Sequence, residues 1–145
     1  MNVSLIPANN TDWTGVVALL NALHLPTSDL PQNLNDFFIF KNGNEVLGTC
    51  GLEVYGDVAL LRSLAVAPGS QGKGLGDTLL QETLDLAKEK GVQEIYLITN
   101  SAANFFAKRG FTQVERSVVP VAIQNTTQFS SVCPSSATVM YRQLS

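Results

Sequence analysis

The chain has 145 residues, 45% of them hydrophobic and only 14% charged, which is enough for one substantial core and too short for two ordinary domains. A formal net charge of −3 argues against a surface that tracks a nucleic-acid backbone, because such binding needs clustered lysine and arginine to displace counterions. No basic-then-apolar leader follows Met1 and no apolar run approaches the roughly 18 residues that would span a bilayer, so the expectation is one cytosolic domain over residues 1–145 with neither nucleic acid nor membrane as partner.

Val3 to Ile6 reads as a first strand, after which Asn10 or Thr11 caps a helix on which Trp13, Val16, Val17, Leu20 and Leu23 recur at helical spacing. Pro26 and Pro31 break that pattern, making Leu25 to Asn35 a loop or a short helical turn. Phe37 to Phe40 and Glu45 to Val54 follow as strands joined by Asn42-Gly43-Asn44, residues that tolerate positive φ. A turn at Gly56-Asp57 leads into Val58 to Val66, a β-rich run long enough to be covered on both faces, which Pro68 ends. Gly76 to Lys90 carries Leu79, Leu80, Thr83, Leu84 and Ala87 on one side of a helix stopped by Gly91. Ile95 to Ile98 resumes the sheet, Ser101 to Arg109 is a short helix stopped by Gly110, and Phe111 to Glu115 is another strand. The stretch after Arg116 keeps Val118, Val121, Ile123, Phe129 and Val132, too apolar for a disordered tail, and Thr138 to Leu144 closes the chain as a strand. The expected class is α+β, a mixed and mostly antiparallel sheet with helices on both faces.

The stretch from Leu60 to Gly76 carries the chemistry. It is a strand that runs through Gly72, Gly74 and Gly76 into a helix start, where free N–H groups and the helix dipole suit phosphate oxygens. The spacing is GxGxG rather than the GxGxxG of dinucleotide sites, and Lys73 is followed by Gly74 where a P-loop needs Ser or Thr. Cys50 and Cys133 form no CxxC or Cys/His cluster, so neither a disulfide framework nor a metal site is expected. His24, the one histidine, ends the first helix, where a cation complements the dipole.

Gln71-Gly72-Lys73-Gly74-Leu75-Gly76, preceded by Leu64-Ala65-Val66-Ala67-Pro68, resembles the acetyl-CoA signature of GNAT acetyltransferases. Ala102 to Phe111 resembles the Ala-x-x-x-Tyr-x-Lys-x-Gly-Phe segment of the same family. The resemblance implies the GNAT fold, in which two neighbouring parallel strands splay apart to admit the pantetheine arm, here Val58 to Val66 and Glu94 to Thr99. It implies acetyl-CoA as cofactor and a small-molecule amine as acceptor. The backbone of Leu64 and Val66, with Ala65 between them, would pair with pantetheine. The backbone of Gln71, Gly72, Lys73, Gly74, Leu75 and Gly76 would hold the pyrophosphate, with Thr99 and Phe106 flanking the cofactor. The Val66 amide would support the charge that develops on the thioester oxygen. Gly51 to Leu64 and Phe129 to Ala137 further resemble the branch of the family associated with arsenic-resistance operons.

The chain departs from the family pattern at three positions. Phe106 stands where a tyrosine often protonates the departing thiolate, Thr99 where an asparagine is usual, and Leu60 where a glutamate is usual. Glu53 is then the first choice of base and Tyr55 a nearby acid; Glu53 reads equally as an exposed strand carboxylate. Arg62, beside Ser63, suits an anionic group of the substrate or else a surface ion pair. Cys133 is a packed thiol, an arsenical contact or a transient acetyl carrier. The loops at Leu25 to Asn35 and Val118 to Ser136 would build the acceptor pocket. Their low charge suits a small amino acid or an amine-bearing organoarsenical, and a homodimer is compatible with the sequence.

Overall fold

The computed structural model describes residues 3–25, 27, 30, 34–99, 102–126, 129 and 137–144. The strands are β1 (Val3–Pro7), β2 (Phe37–Asn42), β3 (Glu45–Tyr55), β4 (Val58–Val66), β5 (Glu94–Thr99), β6 (Thr112–Val114) and β7 (Thr138–Gln143). The helices are α1 (Trp13–Ala22), α2 (Leu75–Glu89), α3 (Ala103–Ala107) and the single turn α4 (Val121–Gln124). All seven strands form one sheet in the order β1-β2-β3-β4-β5-β7-β6. Every neighbouring pair is antiparallel except β4 and β5, which run parallel.

The elements follow from local chemistry with small changes of boundary. The α1 entry is capped by Asn9 rather than Asn10 or Thr11. Asn9 Oδ1 accepts from the Thr11 amide at 2.9 Å and Asp12 Oδ2 accepts from the Asn9 amide at 3.0 Å. This capping box belongs to a 3-10 turn at Asn10–Asp12 that precedes the α-helix, so the cap falls earlier than the apolar spacing suggests. On α2 the buried residues are Leu79, Leu80, Thr83, Leu84 and Ala87, the stripe expected from the spacing. Thr83 stays satisfied by donating to the Leu79 carbonyl at 2.8 Å.

Helices cover both faces of the sheet. On one face α2 packs with Cys50, Leu52, Leu61, Ile95 and Leu97. On the other, α1 seals a cluster around Leu20, Phe37 and Ile39. Beside it on that face, α4 seals a second cluster of Leu60, Tyr96, Val119, Ile123 and Val139. Each buried leucine or isoleucine contributes on the order of 1.5–3 kcal/mol of transfer free energy. Cys50 is fully buried in the first cluster, and burial pushes its thiol up to about 12, so it stays a protonated packing residue. Cys133 lies outside the described residues.

Candidate active site at the β4–β5 seam

β4 and β5 are hydrogen-bonded only at Val58–Glu94, Ala59–Ile95 and Leu60–Tyr96, although β4 continues to Val66 and β5 to Thr99. The cause lies on the other edge of β4. Arg62 pairs with Gly51 and Ala65 with Thr49, so Ser63 and Leu64 together oppose the single residue Cys50. Ser63 takes φ +60° to make this bulge. The extra residue bends β4 away from β5 and shifts its side-chain alternation. Leu61 packs on the α2 face before the bulge, and Leu64 and Val66 pack there after it.

The bulge also settles where the backbone points. The Ala67 amide donates to the Leu47 carbonyl at 2.8 Å, towards β3. By alternation Leu64 and Val66 turn their N–H groups the other way, into the gap. The Val66 carbonyl, on the same side, accepts from Gln71 Nε2 at 3.0 Å.

Beyond Val66 the loop reaches α2 through Gly72 and Gly74, both near φ +80°, a conformation that penalises any side chain. Gly74 is the N-cap of α2 and brings no capping side chain, which leaves the first amides of that helix to an incoming acceptor. A cavity of about 600 Å³ extends from the Leu64–Val66 backbone past Gln71, Gly72 and Gly74–Gly76 to Phe105 and Arg109. It is large enough for an elongated cofactor, and its open seam, gap-facing amides and glycine loop fit a pantetheine arm ending in a diphosphate.

A second group of predicted residues meets on the sheet face opposite α2. The Tyr55 hydroxyl donates to Glu53 Oε1 at 2.5 Å, and Arg62 Nη1 donates to Glu53 Oε2 at 2.6 Å. Arg62 is 2% exposed and also donates from Nε to Ser63 Oγ at 3.2 Å. Burial, together with the Glu53 carboxylate, holds the Tyr55 hydroxyl well above the ordinary tyrosine range, so it stays protonated. Thr49, on the same side of β3, is fully buried and its Oγ1 has no hydrogen-bond partner among the described residues.

Residues 11–111 match the Acetyltransferase (GNAT) family. The chain belongs to this family. Among its GNAT relatives, an uncharacterized N-acetyltransferase of Chlorobaculum tepidum is 30% identical over 93 residues, 63% of this chain and 59% of that protein. An amino-acid acetyltransferase of Neisseria meningitidis is 25% identical over 127 residues, 81% of this chain but 29% of that protein. The chain thus spans less than two thirds of these relatives. In fold it is similar to an N-acetylglutamate synthase from Neisseria gonorrhoeae solved with coenzyme A and N-acetyl-glutamate, with TM-score 0.86, 23% identity, and coverage of 100% of this chain and 36% of that one.

Placed on this GNAT scaffold, the residues singled out by sequence divide into three groups. Leu64, Ala65, Val66, Gln71, Gly72, Gly74, Leu75 and Gly76 line the cavity, whereas Lys73 is exposed and is not part of its lining. Thr99 ends β5 and its Oγ1 accepts from the Ala102 amide at 3.0 Å, setting the turn into α3. Phe106 is 4% exposed and stacks edge-on with Phe105 and Phe111 in the core, and the ring at the cavity is Phe105. Sequence reasoning missed Phe105, Asp77 and Arg109, whose meeting depends on how α2 and α3 pack rather than on any local spacing.

Proposed function

We propose that the chain binds acetyl-coenzyme A in the β4–β5 seam and transfers the acetyl group to the amine of an amino acid or a close analogue. The observation that carries this reading is the bulge at Ser63, which opens the seam and turns the Leu64 and Val66 amides into it beside the glycine loop. When bound, acetyl-CoA supplies a thioester whose carbonyl carbon a neutral amine attacks, giving an amide and a free thiol. Leu64 and Val66 would pair with pantetheine amides, and the Val66 N–H would stabilise charge on the thioester oxygen. The Gln71–Gly76 backbone would hold the diphosphate.

An ordinary amine, with a pKa near ~10, must lose a proton before it attacks. Glu53 is the proposed acceptor of that proton, directly or through water. Tyr55 is the proposed donor to the departing thiolate. Ser63 would meet an anionic group of the acceptor, with the Arg62 guanidinium buried behind it and adding positive potential. The amino-acid acetyltransferase name of the N. meningitidis relative supports an acceptor of this kind. The resemblance of Gly51 to Leu64 to the arsenic-resistance branch adds phosphinic and arsenical amino-acid analogues, with Cys133 as a contact for the latter. One domain over 1–145, a cytosolic location and a homodimer complete the proposal.

The deciding assay follows release of CoA thiol from acetyl-CoA across amino acids, their phosphinic and arsenical analogues, and polyamines. Turnover with the amino-acid class is expected, and turnover confined to polyamines would refute the acceptor assignment. A second reading, a CoA-binding protein without catalysis, is favoured by Phe106 in the tyrosine position and by the engagement of Glu53 with both Tyr55 and Arg62. Tight CoA binding with no turnover across the panel would establish it.

A further inference from the structure

The charges around the seam cavity raise a question that the glycine loop alone does not answer. Among the described residues that line it, Asp77 is the only anion and Arg109 the only cation. Asp77 stands in the first turn of α2, where a carboxylate favours the helix dipole. The same carboxylate faces the volume in which a diphosphate would carry its negative charge, and the two repel unless something neutralises Asp77.

Arg109 is built into place for that purpose. Its Nε and Nη2 both donate to the Asp77 carboxylate, the latter at 3.0 Å, in a fork-to-fork pair that joins the turn after α3 to α2. Its Nη1 donates to the Phe105 carbonyl at 2.7 Å, and its guanidinium lies 3.6 Å above the Phe105 ring. Its own carbonyl is held by Arg142 Nη1 at 3.0 Å. A guanidinium has five N–H groups, so these contacts leave one on Nη1 and one on Nη2 uncommitted on a rigidly oriented plane.

Resting on the reading that this cavity takes acetyl-CoA, we propose that Arg109 binds a phosphate group of the cofactor, the diphosphate in the first instance, with Asp77 and Phe105 as its positioning residues. The pair thereby converts a locally acidic wall into one that accepts an anion. A free arginine at this place would lose rotamer freedom on binding, and this one has already lost it.

The test is calorimetric titration of acetyl-CoA, acetyl-3′-dephospho-CoA and S-acetylpantetheine into the full chain and its variants. Arg109→Met is expected to weaken both nucleotide-bearing ligands by about tenfold or more, the loss of one charge-assisted contact, and to leave S-acetylpantetheine unchanged. Loss confined to acetyl-CoA would assign the contact to the 3′-phosphate. Adding Asp77→Asn to Arg109→Met should recover about threefold, because the uncompensated carboxylate is gone. An arginine that only tied the turn after α3 to α2 would weaken all three ligands alike and show no recovery, and either result overturns the proposal. Wild-type protein that binds none of the three ligands would instead sink the cavity reading itself.

Discussion

Arg62 is a cation with almost no access to water, and the Glu53 carboxylate 2.6 Å away is what makes that burial tolerable. Glu53→Gln should therefore cost about 3 kcal/mol in chemical denaturation, since the guanidinium keeps its burial and loses the Glu53 charge. An idle surface carboxylate would change stability by less than about 0.5 kcal/mol, and that outcome would restore the exposed-strand reading of Glu53. From the sequence the two readings were indistinguishable. Glu53 and Arg62 stand on different strands, and their contact depends on a hairpin register fixed by the turn at Gly56-Asp57 and on the side-chain face, neither of which composition reports. Tyr55 was legible as a neighbour of Glu53 because residues two apart on a strand share a face.

At the scale of the element, β4 is a strand that works because one of its residues is out of line. Ser63 holds a left-handed backbone at an expense of about 1–2 kcal/mol. Ser63→Gly should keep acetyl-CoA affinity and change stability by less than about 1 kcal/mol, the relief of positive φ offset by loss of the Arg62 Nε contact. Ser63→Val should lose about 2 kcal/mol or more and weaken acetyl-CoA binding, because a β-branched side chain resists positive φ and favours a straight strand. Equal affinity in the Val variant would separate the bulge from ligand binding. The α2 stripe was fully readable because helical spacing repeats over four turns. The bulge was not, since neither glycine nor proline marks it and the run from Val58 to Val66 reads as unbroken strand.

Across the whole molecule, the sheet consists of two antiparallel blocks, β1-β2-β3-β4 and β5-β7-β6, whose hydrogen bonding meets at one short parallel contact. The fold class was legible from the run of elements, and the place of the seam from the resemblance of the glycine loop and the segments around it to the GNAT signature. The insertion of β7 between β5 and β6 was not, because it depends on chain return after a long connection. Acetyl-CoA should stabilise the protein by about 2.7 kcal/mol at a hundredfold excess over Kd, a rise of roughly 5–10 °C in Tm. Hydrogen exchange should slow at the unpaired parts of the seam, Leu61–Val66 and Leu97–Thr99, on ligand addition. No Tm shift and no added protection would refute the seam as the binding place.

The way that contact ends has a consequence for selectivity. Leu60 and Tyr96 are the last paired residues, both buried in the cluster that α4 seals, so they act as a fulcrum from which β4 extends as an arm of about 20 Å. Tilting that arm by about 5° moves its far end by about 1.7 Å, close to half the width of one methylene. A change of side-chain size at Leu60, made in the dry core and touching no ligand, would then set how bulky a ligand arm the open part of the seam admits.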